Sequence, residues 1–488
     1  MRHNSPPDSL PGDPPDPGVT DPMFRIRSAL ALCALSLFAV TGHAQTAPAV
    51  STILAFSLSN PVGNLVKGPD GALYGVANPA TSVTGGLIYR TAADGSQVQT
   101  LYQLTADDAI SPGGGLTLAS DGLLYGTTKF GRGGDFTGAG TIFRISPTGT
   151  GFQVVYRFAA VTSANQDQNP INTNGAYPEA ELTEGADGYL YGVARNGGPN
   201  GTGTIFKVAR DGSDFRLLRS FGPITSSTTS GLTVTVDGAS PTGPLVLGAD
   251  GLFYGTASQG GTNGRGLVFR IAFDGSGFQV LHHFGATTND ATTGLPENAD
   301  GATPLGGLAD GGDGFFYGAT SQGGTDGYGV LYAIPADGST FTVLHTFNDA
   351  NGSRPLAELM VAANGKLYGT TSSGGVSSAG ATTTFGTLFS IDRAGTNFTR
   401  LYSFDGANGS LPGSRLLEIS SGVFVGAAGN AGNCSYGTVF RYSTAGDTVT
   451  GNTRCGRRKN SNNSGGGSAG FALLLLLGGL TWSRRRIA

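Results

Sequence analysis

The sequence predicts an all-β fold, a seven-bladed β-propeller of four-stranded antiparallel blades in which the N-terminal strand completes the last blade. Three observations support this prediction: a repeated motif, the strand pattern within each repeat, and the complementary ends of the repeat region. The 488-residue chain contains 83 glycines, while charged residues make up only 13% of it. So much glycine without a collagen-like period is typical of many short strands joined by tight turns.

The first observation is a motif of the form D-G-x-L-Y-G that occurs seven times. Its copies are DGALYG at 70–75, DGLLYG at 121–126, DGYLYG at 187–192, DGLFYG at 250–255, DGFFYG at 313–318, NGKLYG at 364–369 and a degenerate SGVFVG at 421–426. Successive copies lie 51 to 66 residues apart. An internal period of this length indicates a repeat architecture, and four short strands per period are typical of a propeller blade.

The second observation is the strand pattern, which is clearest in the sixth copy. Four strands are predicted there at about 357–363, 366–371, 386–392 and 398–404. Asn-Gly and Asp-Gly pairs between the strands favour the tight turns of hairpins. The outer strand carries large side chains on both faces, as expected for a sheet packed between two neighbouring sheets.

The third observation concerns the two ends of the repeat region. The last copy has no recognisable outer strand after Tyr442, whereas residues 50–58 (VSTILAFSL) resemble an outer strand and precede the first copy. The N-terminal strand is therefore expected to complete the seventh blade and to leave no open sheet edge. These boundaries predict a propeller domain at residues 50–445.

Both ends of the chain carry segments that we interpret as addresses. Residues 1–22, rich in Pro and Asp, are interpreted as a non-native or disordered extension, and residues 23–44 as a secretory signal peptide with a basic start and an apolar centre. Residues 446–468 form a Gly/Ser/Asn-rich linker, and residues 469–488 form a hydrophobic sorting or anchor segment with a basic tail. A helix over the apolar part would reach about 21 Å, short of the roughly 30 Å hydrocarbon layer. Cleavage of the tail and simple anchoring by it both stay open.

Two parts of the sequence resemble known families. The C-terminal segment resembles the GlyGly-CTERM sorting signal, through Gly465, Gly466 and Gly467 followed by a short apolar stretch and Arg484, Arg485 and Arg486. The LYGTT and GTxF pieces of the repeat resemble the GloVer-type tandem repeat of choice-of-anchor proteins. These resemblances imply an exported protein at the cell surface or outer envelope, released if a rhomboid-type protease processes the tail. They imply little about activity.

The composition and the motifs exclude several classes of function. A net charge of −4 offers no basic surface for nucleic acid. No calcium-loop motif is present, so we predict neither a metal nor another cofactor. Cys434 and Cys455, which lie 21 residues apart, are predicted to form a disulfide in an oxidising compartment. The chain is expected to be a monomer.

The histidines and most aspartates fit roles within the repeat. His282 and His345 occupy the outer-strand position that Tyr156 and Tyr402 hold in other copies, which indicates packing or hydrogen bonding between blades. The aspartate before each motif glycine is expected to bind local backbone amides. Two glutamates on predicted inner strands, Glu358 and Glu418, are candidates to face the central channel.

Loop lengths provide a hypothesis for a binding site. Three connections between blades are long, at 159–177, 222–240 and 285–303, and they enter consecutive blades on the same face as the loops that follow the second strands. Binding residues concentrate on loops held by rigid scaffolds. The candidate binding residues in this sector are Arg195, Asn196, Asn200, Gln259, Asn263, Arg265, Gln322, Asp326 and Tyr328.

Three functions remain possible from the sequence. The first is a non-catalytic surface module that binds a carbohydrate, a cell-wall polymer or a protein, and the lack of a recognisable catalytic constellation favours it. The second is a polysaccharide-acting hydrolase or lyase that uses carboxylates on one face of the propeller. The third is a structural or adhesive surface protein without a defined small ligand.

Overall fold

A computed structural model describes residues 49–57, 59–79, 85–108, 110–131, 138–227, 232–377, 380, 383–449 and 451. These residues form 36 strands and no helix, and accordingly none of them belongs to a helix that could span a membrane. The predicted signal peptide, most of the linker, Cys455 and the C-terminal sorting segment with its glycine and arginine motifs lie outside the described residues.

The strands are numbered in chain order. The N-terminal strand and the strands of the first two copies are β1 Ala49–Ala55, β2 Ser59–Lys67, β3 Leu73–Pro79, β4 Gly86–Thr91, β5 Gln99–Leu104, β6 Ile110–Leu118, β7 Leu124–Phe130, β8 Thr141–Ile145 and β9 Gln153–Arg157. The third and fourth copies, with their long loops, contain β10 Ser163–Ala164, β11 Pro170–Ile171, β12 Thr183–Glu184, β13 Leu190–Ala194, β14 Thr204–Val208, β15 Phe215–Ser220, β16 Ser226–Ser227, β17 Thr233–Ala239, β18 Val246–Leu247, β19 Phe253–Ala257, β20 Gln259–Gly261, β21 Leu267–Ile271 and β22 Gln279–His283.

The remaining copies contain the last fourteen strands. These are β23 Thr288–Asn289, β24 Pro296–Glu297, β25 Ala309–Asp310, β26 Phe315–Thr320, β27 Val330–Pro335, β28 Thr342–Thr346, β29 Met360–Val361, β30 Leu367–Thr371, β31 Thr387–Ile391, β32 Thr399–Ser403, β33 Ser410–Pro412, β34 Leu417–Ser420, β35 Val423–Asn430 and β36 Thr438–Ser443.

Each copy of the repeat forms an antiparallel sheet in the predicted strand order. The third to sixth copies give four separate four-stranded sheets, ordered β12-β13-β14-β15, β18-β19-β21-β22, β25-β26-β27-β28 and β29-β30-β31-β32. The first two copies join into one eight-stranded sheet through a parallel bridge between Asn64 and Gly115. The long loops add the two-stranded sheets β10-β11 and β23-β24 and contribute to the three-stranded sheet β16-β17-β20.

The inner strands of the third to sixth copies are shorter than predicted. In the sixth copy only Met360–Val361 pairs as a strand, although seven residues were expected. Pro355 has no N–H to donate to a ladder, and the backbone of Ala357 runs directly against Gly306 of the fifth copy. The residues before Met360 therefore pack against the neighbouring copy instead of pairing within their own sheet.

The N-terminal strand β1 lies in the last sheet, whose order is β1-β36-β35-β33, with β34 also pairing with β35. Ala49 pairs with Ser443, and Ala55 pairs with Thr438. The Phe56 N–H donates to the carbonyl of Gly437 at 3.1 Å, and the same bond joins Phe158 to Gly140 at the equivalent place in the second copy. The N-terminal segment thus takes the position of the outer strand that the seventh copy lacks.

Buried hydrophobic side chains form clusters between successive copies. Among the described residues there are seven such clusters, and each contains residues of two copies. In one of them Leu65 and Tyr89 of the first copy meet Val425 and Val439 of the seventh. Most apolar burial therefore lies between sheets, as the large side chains on both faces of the strands predicted.

Rings on the outer strands form a second link between successive copies. The His282 ring stacks on Phe341 with 3.8 Å between centroids, and the His345 ring stacks on Phe398 at 3.7 Å. Tyr156 stacks on Phe215 in the same way at 4.1 Å. The packing role predicted for both histidines is confirmed, because each ring lies against the next sheet.

The start of the inner strand provides a third link in the third to seventh copies. A residue with positive φ precedes a proline there, and its N–H donates to the carbonyl of a loop residue of the preceding copy, at 2.8–3.1 Å. These residues are Tyr177, Ser240, Thr303, Arg354 and Leu411, with φ between 54° and 61°. A left-handed conformation is costly for a residue with a side chain, and its recurrence shows that the link between copies compensates for the cost.

Candidate functional site

One position of the repeat brings polar side chains of several copies together. It directly precedes the inner-strand leucine and lies six residues before the motif aspartate or its replacement. From the first to the seventh copy it is occupied by Asn64, Gly115, Glu181, Pro244, Gly307, Glu358 and Arg415. The four polar side chains, Asn64, Glu181, Glu358 and Arg415, contact one another and are named the polar cluster.

Hydrogen bonds and ion pairs join the polar cluster. The Asn64 Nδ2 donates to Glu181 Oε2 at 2.8 Å and to Glu358 Oε1 at 3.4 Å, and Asn64 Oδ1 accepts the backbone N–H of Arg415 at 2.8 Å. The Arg415 guanidinium lies 3.2 Å from the Glu358 carboxylate and 3.5 Å from that of Glu181. One guanidinium and one amide therefore serve two carboxylates.

The environment of the cluster changes the acidity of both carboxyl groups. The side chains of Glu181 and Glu358 are 11% and 7% exposed, while Arg415 keeps 36% of its side chain accessible. Burial and the negative charge of Glu358 raise the pKa of Glu181 to about 7, against the opposing effects of Arg415 and Asn64. Burial also raises the pKa of Glu358, again against Arg415 and Asn64. Glu181 can therefore exchange a proton near neutral pH.

Glycines allow the inner strands to approach closely enough for these contacts. A Cβ atom on Gly114 would overlap the backbone of Ala180 and Glu181, and one on Gly243 would overlap that of Gly306 and its neighbour. Only glycine permits such backbone contact without displacement. The close approach explains how short polar side chains from non-adjacent copies reach one another.

Cavities lie on two sides of the polar cluster. The turn-side cavity, about 380 Å³, is lined by Glu358, Arg415, Asp310 and Glu418 together with aliphatic side chains. A further cavity of about 340 Å³ contains Glu181 and shares Glu358 and Arg415 with it. The loop-side cavity, about 200 Å³, is lined by glycine backbone and by Asn64, Glu179, Glu181 and Glu358. The cluster thus offers charged and hydrogen-bonding groups to cavities on both sides.

The chemistry of the cluster suits a polar ligand. Its carboxylates accept hydrogen bonds and its guanidinium donates them, so that the cavities combine a few convergent polar groups with aliphatic walls. This combination is typical of small-molecule sites. The carboxyl group of Glu181 also satisfies one requirement for acid–base chemistry, because its pKa lies near neutrality.

The asparagines among the predicted loop residues are bonded to the loops themselves. The Asn196 Nδ2 donates to Asn169 Oδ1 at 2.9 Å. The Asn200 Nδ2 donates to the carbonyl of Phe221 at 2.8 Å, and Asn263 makes the equivalent bond to Phe284 at 2.9 Å. These side chains hold the loops in place.

The other predicted loop residues are spread along the loops. Gln259 and Gln322 accept hydrogen bonds from Ser240 and Thr303 at 3.3 and 3.4 Å. Burial lowers the pKa of Arg265 and raises that of Tyr328, while Asp326 is exposed. Arg195 pairs at 3.4 Å with Glu179, which lines the loop-side cavity. Through this ion pair, one of the nine predicted residues, Arg195, contacts a residue that lines a cavity.

The two glutamates predicted to face the centre both line the turn-side cavity. Glu358 belongs to the polar cluster, and Glu418 accepts the backbone N–H groups of Ala363 and Gly422 at 2.8 and 2.9 Å. Sequence reasoning missed the partnership of Glu358 with Asn64, Glu181 and Arg415. Alignment of the seven copies at the inner-strand leucine contains that signal, since the preceding position holds a polar residue in four copies and glycine or proline in the other three.

The motif aspartates bind backbone amides as predicted, and each also binds a tyrosine. Asp121 accepts the N–H of Leu123 at 3.0 Å and the hydroxyl of Tyr125 at 2.8 Å. Asp250 makes the same two bonds, at 3.1 and 2.7 Å. Burial, together with the hydrogen bond to Asp121, raises the pKa of Tyr125 to about 12. The tyrosine of the motif therefore donates a hydrogen bond to the turn aspartate in one copy after another.

The predicted disulfide remains a prediction. Cys434 is buried, with 8% of its surface exposed, and Cys455 lies outside the described residues.

Several solved structures share a distant likeness with the chain. A catalytically inactive virginiamycin B lyase from Staphylococcus aureus, solved with quinupristin, is 16% identical, with 81% of this chain and 99% of that chain covered and a TM-score of 0.49. An oligogalacturonate lyase in complex with manganese is 10% identical, with 82% and 98% covered and a TM-score of 0.42. TolB from Acinetobacter baumannii is 12% identical, with 70% and 63% covered and a TM-score of 0.35. No curated protein is detectably similar to the chain in sequence.

A family match provides the classification. The model of the Gloeobacter/Verrucomicrobia repeat matches the chain three times, at residues 36–236, 168–298 and 293–472. These matches span all seven copies of the motif and agree with the resemblance of its LYGTT and GTxF pieces. The chain therefore belongs to the Gloeobacter/Verrucomicrobia repeat family.

Proposed function

We propose that residues 50–445 form a closed ring of seven blades in which β1 is the outer strand of the last blade. The ladder between β1 and β36 supports this proposal, as does the apolar cluster shared by the first and seventh copies. The polar cluster supports it as well. Side chains of the first, third, sixth and seventh copies reach one point most simply if the sheets surround an axis.

We further propose that this monomer is exported to the cell surface or outer envelope. Residues 23–44 would direct export, and residues 469–488 would sort or anchor the protein beyond the linker at 446–468. The basic and apolar composition of these segments supports the proposal. Mass spectrometry of the mature protein from fractionated cells tests it. A protein that begins at Met1 and remains in the cytoplasm would contradict it.

The ring is proposed to act as a non-catalytic binding module for carbohydrate, with the turn-side cavity as its site. The observation that supports this function is the presence of Arg415 and Glu358 in a cavity of about 380 Å³ whose walls include the partly exposed side chains of Val246, Val361 and Leu417. Sugars present hydroxyl groups that suit the polar cluster and C–H faces that suit aliphatic walls. Ligand sites in proteins commonly pair these two features.

A glycan array probed with the full-length chain tests this function. We expect specific glycans to bind, and the Val361→Trp variant to lose them because the indole occupies the turn-side cavity, which Val361 lines. The matched control is Val236→Trp, since Val236 lies in β17, is 74% exposed and does not line the cavity. The control variant should bind as the unmodified chain does.

Two results would contradict the function. One is an array without any bound glycan, which would favour the structural or adhesive alternative. The other is unchanged binding by the Val361→Trp variant, which would place the ligand elsewhere. A thermal unfolding curve of each variant establishes that it is folded.

The second candidate function is a polysaccharide-acting hydrolase or lyase. The specific observation that favours it is the pairing of Glu181, whose pKa is raised to about 7, with Glu358 in one cluster. Glycoside cleavage commonly uses two neighbouring carboxyl groups, one of them with a raised pKa. Turnover of a polysaccharide panel that disappears in both Glu181→Gln and Glu358→Gln would support it, and binding without turnover would support the module.

A further inference from the structure

The turn-side cavity contains carboxylates that have no cationic partner. Asp310 and Glu418 line it together with Glu358. Within the described part of the chain, neither Asp310 nor Glu418 forms an ion pair. Asp310 accepts the N–H of Gly312 at 2.8 Å, and Glu418 accepts two backbone N–H groups near its own turn. Both carboxylates thus lie beside the cavity with backbone N–H groups as their hydrogen-bond partners.

The described lining of the cavity holds more carboxylates than cations. Arg415 is the one cationic side chain among the described lining residues, and it lies between two carboxylates, Glu181 and Glu358. Neither Arg210, which pairs with Glu184 at 3.1 Å, nor Lys67, which donates to the carbonyl of Ile419 at 2.9 Å, lines the cavity. The lining of the cavity therefore carries a net negative charge. A concave site lined by charges of one sign attracts ligands of the opposite charge.

We propose that the turn-side cavity selects glycans that carry a free amino group. This inference rests on the proposed carbohydrate-binding function and names its ligand class. The ammonium group binds beside Asp310 and Glu418, while the ring hydroxyls meet Glu358 and Arg415. The partly exposed side chains of Val246, Val361 and Leu417 contact the C–H face of the sugar ring.

An amino sugar fits this arrangement better than a basic peptide does. Its ammonium group is attached directly to the ring, so that charge, hydroxyls and an apolar face lie within one compact unit. Carboxylates, a guanidinium and aliphatic side chains line the same cavity of about 380 Å³. A lysine side chain supplies the charge but has no hydroxyl groups for Glu358 and Arg415.

Isothermal titration calorimetry with the full-length chain tests the proposal with three matched probes. These are glucosamine oligomers, N-acetylglucosamine oligomers of equal length, and galacturonate oligomers. Acetylation removes the positive charge and retains the rest of the ring. We expect the glucosamine oligomers to bind at least about tenfold more tightly than the acetylated ones, as a lost charge-assisted contact implies. Their affinity should fall with added salt.

Two variants locate the effect. Asp310→Asn should weaken the binding of glucosamine oligomers about tenfold and leave the N-acetylated oligomers unaffected. The matched control is Asp337→Asn, because Asp337 also accepts a backbone N–H two residues ahead, at 2.9 Å, but lies outside the cavity. If Asp310→Asn does not fold, Glu418→Gln serves as the second test of the same charge.

The outcomes separate this inference from the function on which it rests. Equal or tighter binding of N-acetylglucosamine or galacturonate oligomers, still abolished by Val361→Trp, would overturn the amino-group selectivity and keep the carbohydrate function. Unchanged binding in both acidic variants would also overturn it. Binding of oligolysine without any glycan would overturn both and indicate a basic peptide as ligand.

Discussion

The guanidinium of Arg415 lies 3.2 Å from the carboxylate of Glu358, and the two residues belong to the seventh and sixth copies of the repeat. The same guanidinium lies 3.5 Å from Glu181 in the third copy. One cation therefore stabilises two buried anions from separate sheets. The testable consequences begin with its removal.

The Arg415→Ala variant should lower the free energy of unfolding by about 3–5 kcal/mol, because Glu181 and Glu358 would remain buried without a cation. Urea denaturation measures the change. The control is Arg216→Ala, since Arg216 and its partner Asp214 are 60% and 36% exposed and their pair is open to water. A loss of equal size in both variants would contradict the importance of the buried pairing.

Glu181 should make the free energy of unfolding fall as the pH rises from about 4.5 to about 7. Burial raises the pKa of Glu181 to about 7, so the folded protein binds a proton that the unfolded chain releases above its ordinary pKa. The stabilisation is complete below the unfolded pKa and is lost as the pH passes the folded pKa. Its size is on the order of 1–3 kcal/mol. Glu181→Gln should flatten this part of the stability curve, and an unchanged slope would refute the assignment.

His345 should produce a dependence of opposite sign. Burial lowers its pKa to about 4, against the effect of the hydrogen bond with Asn351, so the unfolded chain binds a proton more readily than the folded one. Stability is present above about pH 6.5 and is lost as the pH falls through the folded pKa. His345→Tyr should remove this dependence and retain the stacking on Phe398, because Tyr156 stacks on Phe215 at the equivalent place. Denaturation at pH 4–7 measures the difference, and a variant that keeps the slope contradicts it.

The N-terminal strand should contribute strongly to stability. Ile53 is fully buried in β1, and Ile53→Ala should cost about 2–5 kcal/mol of unfolding free energy because it creates a cavity between the seventh and first copies. The control Val236→Ala removes two methyl groups from a side chain that is 74% exposed and should change stability by less than about 0.5 kcal/mol. Equal effects would show that β1 is dispensable.

The predicted pairing of Cys434 with Cys455 is tested by peptide mapping under non-reducing conditions. A linked pair of peptides is expected, and reduction should lower the unfolding free energy by about 3 kcal/mol in the chain-entropy model. Alkylation of both cysteines in the unreduced protein would exclude the bond. Reduction of a Cys434→Ser variant should leave its stability unchanged.

The sequence predicted the sheets well because the repeat presents the same evidence many times. The outer-strand identity of residues 50–58 followed from a single missing strand, and the ladder between β1 and β36 agrees with it. The short inner strands were not predicted. In the sixth copy the backbone of Ala357 contacts Gly306 of the fifth copy instead of pairing within its own sheet. The residue pattern of one strand contains no information about such a contact between copies.

The candidate site was predicted only in part for a similar reason. The loop sector was chosen by loop length, but its asparagines satisfy backbone groups, as at Asn200 and Phe221. Glu358 was predicted as a residue of the site, whereas its partners in the polar cluster, which come from the first, third and seventh copies, were not. Which side chains meet across the centre depends on how closely the inner strands approach, and glycines such as Gly114 determine that distance.

The position of β36 between β35 and β1 affects how the protein bears mechanical load. Anything attached to the chain after this strand pulls on a strand that is hydrogen-bonded along both sides. A strand at the margin of a sheet can peel away one bond at a time, whereas extraction of β36 requires both ladders to break. Tension between a held ligand and a point of attachment beyond β36 would therefore meet one of the most resistant strands of the sheet.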